Sequence, residues 1–139
     1  SYIIIPCEAD EKSVKLISDL ALKIGFGEIK ITTPEEHDRM IAFTSQLPHV
    51  LACAYVMSPC CLKHKGFSAG SYKDLTRVAK LNEVMWTELF LENRENLIFE
   101  IDTIIENLTK YSKALKEDNA DELEKLLRDG RICKEQIDG

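Results

Sequence analysis

The sequence predicts a mainly α-helical chain that opens on a short β-α-β unit. Three observations carry that expectation. Tyr2-Ile-Ile-Ile-Pro6 is a β-branched and aromatic run ended by proline, which suits a short buried strand. Val14, Ile17, Leu20, Ala21 and Ile24 then recur at helical spacing, and Gly27 to Thr32 alternates like a half-exposed strand. Beyond residue 32 the long apolar patterns repeat at three and four rather than two, as in Leu97, Ile101, Ile104, Ile105, Leu108, Tyr111 and Leu115.

Asp10 is placed to cap the first helix and Gly25 to stop it. A strand, helix and strand within about thirty residues cannot cover both faces and both edges of a sheet, so this unit reads as the tail of a larger one. Thr33, Pro34 and Glu36 then give a capping box with proline at the first helical position. On the next helix, Asp38, Ala42, Ser45 and His49 are spaced by four, three and four, which puts a carboxylate, a gap, a hydroxyl and an imidazole on one side. Met40, Ile41, Phe43, Leu47, Val50 and Leu51 occupy the other sides, so the helix is expected to be mostly buried. Pro48 removes the backbone bond to Thr44 and is expected to kink it beside His49. Periodicity alone would make His49 a satisfied core or interface residue.

Ser58 to Gly70 is rich in breakers and reads as a loop. The helical pattern resumes near Ser71 and carries Arg77, with Asp74 three residues earlier as a possible ion-pair partner. Asn82 opens a helix holding Met85, Trp86, Leu89 and Phe90, a stripe that reads as core. Asn93 bends or caps the chain into a long helix ending near Lys116, and Asn119 or Asp121 starts the last one, in which Gly130 is a weak point. Such wide apolar faces exceed what one short chain can cover, and dimerisation is the expectation.

Hydrophobic residues make up 45% of the 139 and charged residues 30%, ordinary for a globular domain. A net charge of −6 argues against a nucleic-acid surface and against an anionic membrane surface. No apolar run approaches the roughly 18 residues that span a bilayer, and no signal peptide is legible, so the cytoplasm is the expected location. The five cysteines, at 7, 53, 60, 61 and 133, are odd in number and form no C-x-x-C pair, so reduced thiols are expected. Cys60, Cys61 and His64 lie close in sequence but lack a fourth ligand, and no metal is expected. No G-x-G-x-x-G occurs anywhere in the chain.

Ser45-Gln-Leu-Pro-His49, preceded by His37-Asp38 and followed by Asp74-Leu-Thr-Arg77-Val-Ala and Met85-Trp86, resembles the C-terminal helical domain of the prephenate and arogenate dehydrogenases over nearly the whole chain. The resemblance implies a helical dimerisation domain of the 6-phosphogluconate-dehydrogenase C-terminal type. Residues 1–32 would be the C-terminal remnant of a Rossmann nucleotide-binding domain, and 33–139 the all-helical substrate and dimerisation domain. It also implies NAD(P)-dependent oxidative decarboxylation in tyrosine biosynthesis, with prephenate or arogenate as substrate, tyrosine as an inhibitor and a homodimer as the assembly. By resemblance Arg77 binds a substrate carboxylate, and Ser45 and His49 line the pocket.

The family's catalytic histidine and its cofactor fingerprint fall outside these residues. The chain therefore reads as part of a longer protein, inactive alone and binding neither NAD nor NADP, with Ser1 left over from cloning. Many relatives carry histidine where this chain has Gln46, which cannot titrate. Two other readings stand beside this one. The first is a non-catalytic dimerisation or ligand-sensing module derived from that domain. The second is the C-terminal domain of another hydroxyacid or imine dehydrogenase, which would lack the Ser-x-Leu-Pro-His signature.

Overall fold

The computed structural model describes residues 1–138 and is mainly helical after a small parallel sheet. Strand β1 (Tyr2–Ile4) pairs in parallel with β2 (Ile29–Ile31), Tyr2 opposite Ile29, and helix α1 (Glu11–Lys23) makes the crossover. Both strands are shorter than the runs that predict them. Asp10 accepts from the Ser13 amide at 2.9 Å, which fixes the start of α1. That bond, then the one from the Ser13 hydroxyl, holds the Asp10 carboxyl below its ordinary value. The cap is therefore fully present above the usual carboxylate range and is lost as pH falls through the lowered value. Gly25, at φ +104°, lets the Gly25 and Phe26 amides turn back to the Leu22 and Ala21 carbonyls, so α1 ends at the predicted glycine.

Helix α2 (Pro34–Ile41) starts where Thr33 caps it, the threonine oxygen accepting from the Glu36 amide at 3.3 Å. Only half of the expected capping box forms, because the Glu36 carboxylate pairs with Arg39 instead of returning to the cap. The helix then widens into a π turn (Ala42–Gln46) and narrows again as α3 (Leu47–Val56). A 3-10 turn at Cys61–Lys63 interrupts the predicted loop, and α4 (Gly70–Thr76) runs directly into a second 3-10 turn, Arg77–Ala79, packed against α3. Helix α5 (Glu83–Glu92) is capped by Asn82, α6 spans Arg94–Lys116 and α7 spans Ala120–Asp138.

Two compact units result, Ser1–Leu97 and a second from Ile98 onward. In the first, Ala21, Ala42, Leu47, Ala52 and Leu97 are buried, and in the second Ala114. Among the described residues no large side chain is fully buried. Met40 and Phe43, expected inside, are 45% and 53% exposed, so the helix that carries them is less covered than its pattern implies. Met57, Leu62 and Phe67 are exposed, as are Phe99, Ile105 and Leu108 on α6.

In the second unit α6 and α7 are joined through Asp118, at φ +50°, and Asn119, whose side chain caps α7. The Tyr111 hydroxyl donates to the Leu126 carbonyl at 3.1 Å. Gly130 lies within α7, and a Cβ there would meet only the Tyr111 oxygen at 4.0 Å, an ordinary contact. Gly130→Ala is therefore expected to raise the unfolding free energy by about 1 kcal/mol, the difference between the two residues inside a helix. Denaturant unfolding measures it, and an unchanged or lower midpoint would show that the position needs its missing side chain.

Candidate functional site

Proline sets the geometry of the site. Pro48 has no amide hydrogen to return to Thr44, and the ladder responds before it, with the Leu47 amide bonding the Ala42 carbonyl five residues back. A wide turn thus lies just upstream of the position where a kink is expected. One extra residue in a turn rotates the downstream helix by about 100° relative to the upstream one. The predicted stripe is split accordingly. Asp38 stays exposed and accepts from His37 Nδ1 at 2.9 Å, while Ala42 is buried, and only Ser45, within the turn, and His49, beyond it, remain together.

The same turn drives Gln46 inward, to 4% exposure. Its Nε2 donates to the Leu89 carbonyl in the last turn of α5 at 3.1 Å, and its Oε1 accepts from Asn93 Nδ2 at 3.0 Å. Asn93 also donates to the Asp38 carbonyl at 2.8 Å and accepts from Asn96 at 2.8 Å. A single buried amide therefore ties the π turn to the joint between α5 and α6 and satisfies a helix-end carbonyl. Sequence reasoning noted Gln46 only as a group that cannot titrate and Asn93 only as a cap or bend before the long helix.

His49 Nδ1 lies 2.7 Å from the Ser45 carbonyl. A carbonyl only accepts, so Nδ1 carries the hydrogen, and in the neutral ring Nε2 is the acceptor. One face of the imidazole stacks on Trp86, with ring centroids 3.8 Å apart and planes at 29°. Trp86 is also tilted against Phe90 at 5.4 Å. With one face and one nitrogen engaged, the half-buried His49 keeps Nε2 as its remaining acceptor. Trp86, read from sequence as core, is in fact the wall that orients this ring.

Arg77 sits on the 3-10 turn against α3, where Cys53 Sγ approaches the Ala79 carbonyl at 3.8 Å. Its guanidinium is exposed and forms no ion pair with Asp74, which is a correction to the expected pairing. Among the described residues Arg77 forms no ion pair, and a planar guanidinium of this kind can take a carboxylate in two parallel bonds.

Among the described residues no three His, Cys, Asp or Glu side chains gather to hold a metal. A dinucleotide diphosphate does not fit the β1–α1 connection either. That connection, Ile5 to Asp10, has no glycine for close approach, and the Asp10 carboxylate already takes an α1 amide that an anion would use.

A parallel β-α-β unit followed by helices with a thin core and open apolar faces defines the class, a mainly helical domain behind a small parallel sheet. Residues 33–129 match the family described as prephenate dehydrogenase, dimerization domain, and the chain belongs to that family. Cyclohexadienyl dehydrogenase of Zymomonas mobilis is 33% identical over 118 residues, covering 81% of this chain and 40% of that protein. Prephenate dehydrogenase of Bacillus subtilis is 28% identical over 144 residues, covering 99% of this chain and 38% of that protein.

A solved structure of prephenate dehydrogenase from Aquifex aeolicus, in complex with hydroxyphenyl propionate and NAD+, superposes at a TM-score of 0.80 with 30% identity. It matches 97% of this chain and 49% of its own. Synechocystis arogenate dehydrogenase, at 18% identity and a TM-score of 0.80, shares the fold. The chain spans about two-fifths of these two curated relatives and about half of the solved chains.

Replacing Gln46 by leucine leaves the Leu89 carbonyl without its side-chain donor and the Asn93 amide without one acceptor. Gln46→Leu is expected to lower stability by about 1–3 kcal/mol, the range for unsatisfied buried polar groups. Urea unfolding gives the value, and an unchanged midpoint would mean that the clasp contributes nothing.

Proposed function

We propose that this chain is the substrate-binding and dimerisation portion of a prephenate or arogenate dehydrogenase. In the whole protein the reaction would be an NAD(P)-dependent oxidative decarboxylation. The dinucleotide would be held by residues other than these, so the 139 residues alone would be inactive. Residues 1–32 would close the sheet of the nucleotide-binding domain, and 33–139 would supply the helical half of the site. The observation that carries this reading is His49, stacked on Trp86 with its Nδ1 hydrogen on the Ser45 carbonyl, beyond the π turn.

Each side chain has a distinct task. Arg77 would take a carboxylate of the cyclohexadienyl substrate in two parallel hydrogen bonds. His49 Nε2 and the Ser45 hydroxyl would orient the rest of the ring and its side chain. The thin core and the exposed apolar faces of α6 support a homodimer, since burying them against a second copy removes large apolar area from water. No helix is long and apolar enough to cross a membrane among the described residues. Tyrosine, which shares the carboxylate and the phenolic ring of the product, is proposed as an inhibitor of the same pocket.

The exposure of Arg77 in the single chain favours a second reading, a ligand-sensing or pairing module without catalysis. Calorimetric titration of the chain with prephenate, arogenate, tyrosine and NAD separates the two. An orphaned half-site binds a substrate weakly and NAD not at all, whereas a bare scaffold binds none. In the complete enzyme Arg77→Ala is expected to raise KM at least tenfold, about 1.4 kcal/mol of lost binding. An unchanged KM removes Arg77 from the site.

A further inference from the structure

Cys60, Cys61 and His64, which the sequence leaves without a role, converge in the fold. Together with Tyr55, Ser58 and Tyr72 they line a half-open cavity of about 150 Å³ between the end of α3 and the start of α4. Cys60 is exposed and Cys61 half-buried. Cys61 Sγ lies 3.2 Å from the Tyr72 hydroxyl. The ring of Tyr72 stacks on His64, with centroids 4.4 Å apart, and His64 Nδ1 is 3.0 Å from Ser68 Oγ. The bond to Cys61, followed by burial, pushes the Tyr72 phenol above its ordinary value, so it remains a protonated donor throughout the neutral range.

Tyr72 is also what holds α4 down. The helix has seven residues, and Gly70, Ser71, Lys73, Asp74 and Leu75 are exposed, leaving Tyr72 and Thr76 as its half-buried contacts. A helix this short has little stability of its own and depends on such anchors. Its last residue leads directly to Arg77.

We propose that this cavity is a thiol-exchange site in which Cys61 takes up a small thiol from a low-mass disulfide, releasing Tyr72 and loosening the helix that carries Arg77. The Cys61 thiol loses its proton to water, and the resulting thiolate attacks one sulfur of the disulfide RS–SR. A Cys61–S–S–R bond forms as the S–S bond of the reagent breaks, and RS⁻ leaves. The disulfide supplies the oxidising equivalent, and excess thiol reverses the step. The adduct occupies the space into which the sulfur now presents itself to Tyr72. The effect on substrate rests on the proposed role of Arg77, whereas the effect on α4 does not.

The test uses the chain with Cys60→Ser, treated with bis(2-hydroxyethyl) disulfide and followed by peptide mass mapping and amide hydrogen exchange. Cys61 is expected to carry the hydroxyethylthio group, and exchange in residues 70–76 to quicken at least tenfold and return to its starting rate after dithiothreitol. Cys61→Ser, which keeps an oxygen partner for Tyr72, should show the starting rate with or without reagent. Modification confined to the exposed Cys7 and Cys133 overturns the proposal, as does a Cys61 adduct that leaves α4 exchange unaltered. In the complete enzyme the same adduct should raise KM. A loosened α4 with KM unchanged would instead contradict the assignment of Arg77.

Discussion

The buried amide of Gln46 is the constraint on which the arrangement around the site depends. A polar side chain at 4% exposure has to be paired, and its two partners lie on other elements, the Leu89 carbonyl and the Asn93 amide. The π turn brings that amide inward, and the pairing in turn holds the wide turn open against the tighter ladder an α-helix would prefer. Ser45 and His49 follow the same turn, and Trp86, one helical turn before Leu89 on α5, meets the imidazole face to face. Packing, polar satisfaction and site geometry are thus one set of interactions.

The core has a different logic. Alanines dominate what is buried, and the larger apolar side chains reach outward from α5, α6 and the loop before α4. Small residues allow helices to approach closely but bury little area each, so the single chain gains little hydrophobic stabilisation relative to its apolar content. That imbalance agrees with membership in a family of dimerization domains. If the proposed pairing occurs, part of the stability would come from association, and folding and assembly would be concentration-dependent together.

What the sequence made legible was local. Caps at Asp10, Thr33, Asn82 and Asn119 and the stop at Gly25 each depend on contacts within a few residues, and all of them form. The family resemblance likewise rests on short-range order and spacing, and the family match agrees with it. The π turn was not legible, because Pro48 announces that one hydrogen bond must fail without saying where the ladder will widen. Nor was the clasp, since Gln46 meets Leu89 and Asn93 more than forty residues away. The split stripe comes from the same π turn, a local departure from 3.6 residues per turn that no pattern based on that period detects.

The clasped turn presents His49 with its hydrogen on Nδ1 and its Nε2 free, and the proposed site stands on that presentation. Nitrogen-15 resonances of the neutral His49 ring test this directly. The expected result is a protonated, pyrrole-type Nδ1 and an unprotonated, pyridine-type Nε2. A ring that carries its hydrogen on Nε2 would break the bond to the Ser45 carbonyl, and with it the geometry on which the proposed site is built.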